Sequence, residues 1–259
     1  MRPVTVKCQP MNSPLAALAS ALESRSPWLS AHDAMARRVV GAANSHSVAE
    51  ALNAAAEGKA DFVRFVEHSE LPVGEAYEAF IARTGRVPTR DNLHDLFNGL
   101  MWLSYPHTKR RLNRLQAQQI ALLGTSGPRG ALRDALTVFD ENAGILQGPA
   151  TLIDALRRRD WYTLFIERRD EWQSARLMLF GHALLEKLMR PRKAITAHVW
   201  VINSIDDRHV DETLASTVTP ARLGAKDFLP LPVLGVPGWW CENENASFYD
   251  DVEVFRPPR

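Results

Sequence analysis

Apolar positions along the chain recur mostly at three- and four-residue intervals, with few alternating runs, which predicts more helices than strands. In the alanine-rich start, Ser13 before Pro14 reads as an N-cap followed by a first-turn proline. Ser47-Val-Ala-Glu50 is a capping-box pattern opening a helix that Gly58 stops. Residues 61–66 (DFVRFV) alternate as a short strand, and residues 72–84 predict a helix with Tyr77, Phe80 and Ile81 on one face and Gly85 at its end.

The middle of the chain is denser. Asp91 is a plausible cap for a helix whose stripe is Leu93, Leu96, Phe97, Leu100, Met101 and Leu103. Pro106 breaks that helix and begins a second, which ends at Gly124. After the GTSGPRG loop, ALTVFDENAGILQG predicts strand, turn and strand around DENAG. Helices are expected at 149–158, 160–173 and 181–189, a buried strand at 194–202, and another helix near 210–222. The prolines and glycines of LPLPVLGVPGWW predict an extended, wrapping path. The class is therefore α+β, mainly helical with a small sheet and an extended Pro/Gly-rich C-terminal segment, not a doubly wound parallel sheet. An N-terminal helical segment, 1–58, is expected to pack on a main α+β domain, 59–259, as one compact unit.

Composition narrows the setting. With 259 residues, 46% hydrophobic and 24% charged, the chain is an ordinary globular one able to bury a full core. No apolar run approaches the ~20 residues of a membrane span. The apolar run 14–22 (PLAALASAL) could serve as a secretion signal, but its cap and first-turn proline favour a helix of the mature protein. Two cysteines near opposite ends, Cys8 and Cys241, form no disulfide framework, so a reducing, cytoplasmic home is expected. The net charge of +1 hides segregation: residues 86–133 carry eight bases and two acids, and residues 206–259 carry ten acids and five bases. Such blocks would suit a phosphate-binding surface, but near-neutrality favours an acidic tail folded back on the chain's own bases, and makes nucleic acid the less favoured partner.

The runs PTRDNLHDLFNGLMW with YPHTKRRLN, RDALTVFDENAG, RDWYTLFIERRDEW, FGHALLEKLMRPRKAITAH and GVPGWW…FYDDVEVFRP occur in one order. Over roughly residues 60–259 they resemble a bacterial domain-of-unknown-function family, DUF 3025. Ala143 stands where that pattern suggests glycine after the DEN turn. The resemblance implies no activity, substrate or cofactor.

The chemistry is therefore read from the residues themselves. Asp91, His94, Asp95 and Asn98 share one face of a helix and could wall a site, or form a solvated helix start with well-placed acids. His182 and Glu186, four apart, could share a metal or pair as base and orienter. A divalent metal held by His94, His182, Glu186 and His198 is the candidate cofactor. His-Asp dipeptides at 32–33 and 94–95 invite comparison with HD-type phosphohydrolases, but their helical bundle is missing where strands are expected. Asn98, Lys109, Asn113 and Arg133 are the candidate substrate-binding residues, their cations serving as anion clamps. Arg110, Arg114, Arg129 and Lys193 add basic surface, although Asp134, Asp140 and Glu141 are ready partners within the chain, or could hold a divalent cation between them and a phosphate. Most of the seven tryptophans lie in the second half and are expected in the core rather than as base-stacking platforms. Dinucleotide, P-loop, zincin, nucleophile-elbow and C-x-x-C motifs do not occur.

Two functions stand open on this reading. One is a hydrolase of a phosphorylated or otherwise anionic small substrate, with His94 as base, Asp95 as its partner, and His182 with Glu186 as a second acid–base pair. The other is a non-catalytic binding or scaffold module whose polar motifs fix the fold.

Overall fold

The computed structural model describes residues 13–42, 45–58, 62–124, 130–203 and 209–257. Cys8, Arg129 and most of the GTSGPRG loop lie outside the described residues. The helices are α1 (Pro14–Glu23), α2 (Asp33–Val40), α3 (Val48–Ala56), α4 (Tyr77–Thr84), α5 (Leu93–Ser104), α6 (Pro106–Leu123), α7 (Ala131–Asn142), α8 (Ala150–Arg158), α9 (His182–Leu188), α10 (Val210–Thr217) and α11 (Pro220–Gly224). The strands are β1 (Arg64–Glu67), β2 (Arg86–Thr89), β3 (Ala143–Gln147), β4 (Arg176–Leu179), β5 (Thr196–Val201) and β6 (Leu229–Pro232). This is a mainly helical α+β architecture. None of the described helices is long and apolar enough to cross a membrane.

α5 is the central element. Leu96, Phe97, Leu100, Met101, Trp102 and Leu103 are all buried, so its apolar stripe wraps most of the helix. α1, α2, α3, α6 and α9 all pack on it. Gly99 permits the approach of α3, since a Cβ there would lie 2.2 Å from a methyl of Leu52. Buried residues from Leu15 in α1 to Phe255 near the C-terminus join one apolar cluster.

Two sheets flank this helix layer. β1 and β2 pair in parallel, with Phe65 opposite Val87. The larger sheet runs β4-β3-β5-β6, with β3 and β5 parallel and both outer pairs antiparallel. In β6, Pro230 and Pro232 stand opposite His198 and Thr196 of β5. The amide of Val233 donates to Ile195, so the odd-numbered residues face the ladder and the two prolines turn their nitrogens outward.

Local signals set many boundaries. Ser13 accepts from the Ala16 amide and Pro14 follows, starting α1. Ser47 accepts from the Glu50 amide, while the Glu50 carboxylate takes the amide of His46 rather than that of the cap residue. Gly85 ends α4 in the left-handed region at φ 66°, where a side chain would be strained.

Several expectations need correction. Residues 131–142 are a helix, not a strand: Ala135, Leu136 and Phe139 bury one helical face, and only 143–147 are extended. Asp91 does not cap α5. Asn92 does, accepting from the Asp95 amide, while Asp91 accepts from the Val48 amide at the start of α3. α4 begins at Tyr77, five residues later than the periodicity suggests. Residues 163–173 form a π-helical turn and a 3-10 turn, and Pro220 divides the helix expected at 210–222. β6 gives part of the Pro/Gly-rich stretch regular structure.

The acidic tail does return to the chain's own bases: Glu244 pairs with Arg169 and Asp251 with Lys193. Trp28, Trp102, Trp161, Trp172 and Trp200 are buried, and Trp239 and Trp240 pack against the core.

Candidate functional site: a polar chain through the helix layer

Polar side chains that the apolar packing cannot dilute gather where α5, α6, α7 and α9 meet. His94 lies one residue into α5 and His182 is the first residue of α9. Their Nε2 atoms stand 3.2 Å apart, with the rings edge to face at 78°. His94 Nδ1 meets Glu186 Oε2 at 2.9 Å, one turn along α9. His182 Nδ1 donates to the backbone carbonyl of Asp140 at 2.8 Å, with the Asp140 carboxylate 3.8 Å away.

The chain continues inward. Asp140 Oδ1 lies 2.5 Å from Lys109 Nζ, and Lys109 also donates to Asn98 Oδ1 at 2.8 Å. Lysine can only donate, so Asn98 must turn its oxygen to Lys109 and its NH2 to the Tyr77 hydroxyl, 3.0 Å away. One network thus runs from Glu186 and His94, both about 40% exposed, to Lys109, which is 4% exposed at its side chain.

Close packing makes this convergence possible at Gly181, directly before His182. A Cβ there would lie 2.5 Å from the Asn142 backbone and from the Glu141 carbonyl oxygen, although its φ of −63° suits any residue. Glycine lets α9 abut the end of α7, which brings the His182 ring to the Asp140 carbonyl.

Burial lowers the His182 imidazole to about 4, despite the opposing pull of Asp140, so this ring is neutral at pH 7. Burial would raise the Asp140 carboxyl, but the Lys109 ammonium beside it outweighs burial and holds it below the usual range. Burial also raises the Tyr77 phenol, helped by Asp95 and Asp140, so it remains an O–H donor.

The hydrogen-bond pattern fixes the protons. His182 spends its Nδ1 proton on Asp140, so its Nε2 is a lone pair that accepts from His94 Nε2–H. The contact between His94 Nδ1 and the Glu186 carboxylate then needs one further proton. Glu186, His94 and His182 thus form one hydrogen-bonded run whose outer two members are half-exposed.

Of the candidate residues, His94, His182 and Glu186 meet directly, and Asn98 and Lys109 join them through Asp140. Asp95 is not the partner of His94; it is buried and accepts from the Arg90 amide at 2.6 Å. Lys109 is committed to Asp140 and Asn98. Arg133 is buried at the far end of α7 with Nη1 on the Gly124 carbonyl at 3.4 Å, so neither cation is presented as an anion clamp. Asn113 donates to the Glu78 carbonyl, joining α6 to α4.

His198 lies on β5 against Phe228, and its ring is lowered by burial and then by Lys187. The four candidate metal ligands do not form a shell: Glu186 sits on the far nitrogen of His94 and His198 takes no part. Among the described residues, no three or more His, Cys, Asp or Glu side chains are grouped to hold a metal ion. Asp140, one of the three acids expected to partner the chain's own bases, does so with Lys109, whereas Tyr77 read as core; the folded helix layer joins both to the histidines.

These features define a mainly helical α+β protein with a buried ion pair wired to a histidine pair at its surface. Residues 63–259 match the family described as protein of unknown function (DUF3025), and the chain belongs to that family. No curated protein and no solved structure matches it.

Proposed function

We propose that this protein is an enzyme of the hydrolase type in which the Glu186–His94–His182 cluster performs general acid–base chemistry. The observation that supports this reading is the 3.2 Å Nε2–Nε2 approach with a carboxylate on the outer nitrogen of His94. In the form that acts as base, the proton between His94 Nδ1 and Glu186 is absent and the half-exposed Glu186 carboxylate is the open acceptor. It accepts a proton from an attacking water as the new bond to the substrate forms, then returns it to the leaving atom as the old bond breaks. Glu186 orients His94 and lodges the proton; His182, neutral and fixed by Asp140, holds the other nitrogen. The anion clamps once expected of Lys109 and Arg133 have no role here, because both are turned inward.

The test is turnover of a panel of simple esters, amides and phosphoesters by the wild type and by His94→Gln and Glu186→Gln. Loss of about 10²-fold or more in turnover by His94→Gln, with little change in melting temperature, is expected. Turnover that is indifferent to His94 overturns the reading. The scaffold alternative draws on the inward half of the network, where Lys109 and Asp140 bind helix to helix. It predicts that the same variants melt early and differ in nothing else.

A further inference from the structure

The inner end of the network opens into a pit of about 40 Å3 between α4, α5, α6 and α7. By the same measure a water needs about 10–15 Å3, so the space takes a few waters or the end of one small polar group. Lys109 and Asp140 form part of its lining, and Trp102, Ile81 and Leu112 supply apolar wall.

Unspent hydrogen-bonding capacity collects there. Tyr77 accepts from Asn98, and its own O–H has no acceptor among the described residues. Lys109 uses two of its three N–H groups. Gln116 is 7% exposed and lines the pit, yet its amide makes no hydrogen bond among the described residues. Its polar atoms reach solvent, so they are open to a group that enters the pit. Asn113 adds a side-chain oxygen with no hydrogen bond among the described residues, beside its bond to the Glu78 carbonyl.

Charge selects the occupant. Asp140 already balances Lys109 at 2.5 Å, and Glu78 adds an acid to the lining, so no surplus positive charge remains for a phosphate or carboxylate. Donors on Tyr77 and Lys109 and acceptors on Asn113 and Gln116 share one lining with apolar walls. A group with one carbonyl oxygen and N–H donors answers both sets.

We infer that this pit is a binding site for a small neutral carboxamide-type group, held by Tyr77, Lys109 and Gln116. The inference goes beyond the acid–base reading and does not depend on it, because the site lies at the opposite end of the network from His94.

The experiment titrates the full-length, ¹⁵N-labelled protein separately with acetamide, acetate and inorganic phosphate, following the side-chain amide signals of Gln116 and Asn113. Acetamide is expected to shift both signals saturably, acetate and phosphate far less. Tyr77→Phe, which removes only the hydroxyl, should weaken acetamide binding by about tenfold, and His94→Gln should leave it unchanged. Unmoved or non-saturating Gln116 and Asn113 signals, a preference for either anion, or full acetamide affinity in Tyr77→Phe each overturns the site. Acetamide binding without His94-dependent turnover removes the enzyme reading alone. His94-dependent turnover without acetamide binding removes the pit alone.

Discussion

His32 and His182 are the same residue in two regions that burial treats alike. Each is almost fully enclosed, each gives one nitrogen to a backbone carbonyl, and burial lowers each from 6.5 to about 4. His32 Nε2 bonds the Leu179 carbonyl at 2.7 Å, while its Nδ1 has no hydrogen-bond partner among the described residues and its ring packs against Tyr105 at 83°. The second nitrogen of His182 faces His94, which is open to water. A perturbed, buried imidazole is thus no sign of chemistry by itself; a continuous polar route to the surface makes the difference.

The largest way to sharpen that contrast is to unbalance the charged region. Lys109→Met strands the Asp140 carboxylate and is expected to cost about 3–5 kcal/mol in urea unfolding. Lys109→Met with Asp140→Leu should recover most of that loss. A double variant as unstable as the single one would show that the pair is not the main debt of this region.

Acid should strike both regions. Each folded imidazole titrates below its unfolded value, so the neutral ring contributes stability that is complete above pH 6.5 and is lost as pH falls from about 6.5 toward 4. The shift corresponds to about 3 kcal/mol for each histidine as an order of magnitude. Urea unfolding at pH 7.5 and 4.5 should show the fall, and His32→Gln should reduce it by about half. An unchanged pH dependence in His32→Gln would break the equivalence.

Gly181→Ala should cost about 1–3 kcal/mol through overlap with the α7 backbone and should shift the His182 ring signals in NMR. A stable variant with unmoved His182 signals would remove the close approach as the positioning device. Glu186→Gln lies at the small end: its half-exposed contact to His94 is worth about 0.5 kcal/mol or less in thermal melting. A larger loss there would place Glu186 with the buried framework.

Punctuating residues made much of the helical fold legible. Ser13-Pro14, Ser47, Gly85, Pro106 and Gly124 act within a turn of themselves, and their effects are local. The α7 misreading arose where Thr137 and Val138 favour strand while Ala135, Leu136 and Phe139 bury a helical face; the packing against the sheet and α11 decides. β4 lacks alternation because its pairing with β3, not its own pattern, makes it a strand. At the site, His94, His182 and Glu186 were legible as titratable groups at helical spacing. Which carboxylate serves His94 was not, since Asp95 is adjacent in sequence while Glu186 is 92 residues away and nearer in space. Lys109 was more legible: its charge and three acids able to neutralise it stood in the sequence, and only the choice of Asp140 among them needed the fold.

The outward-turned prolines of β6 carry a consequence for the protein in crowded solution. A foreign strand docking on that rim would meet carbonyl oxygens at Pro230 and Pro232 but no amide hydrogen to bind its own carbonyls. Fibre growth by adding strand upon strand is refused at that border without any charged guard residue.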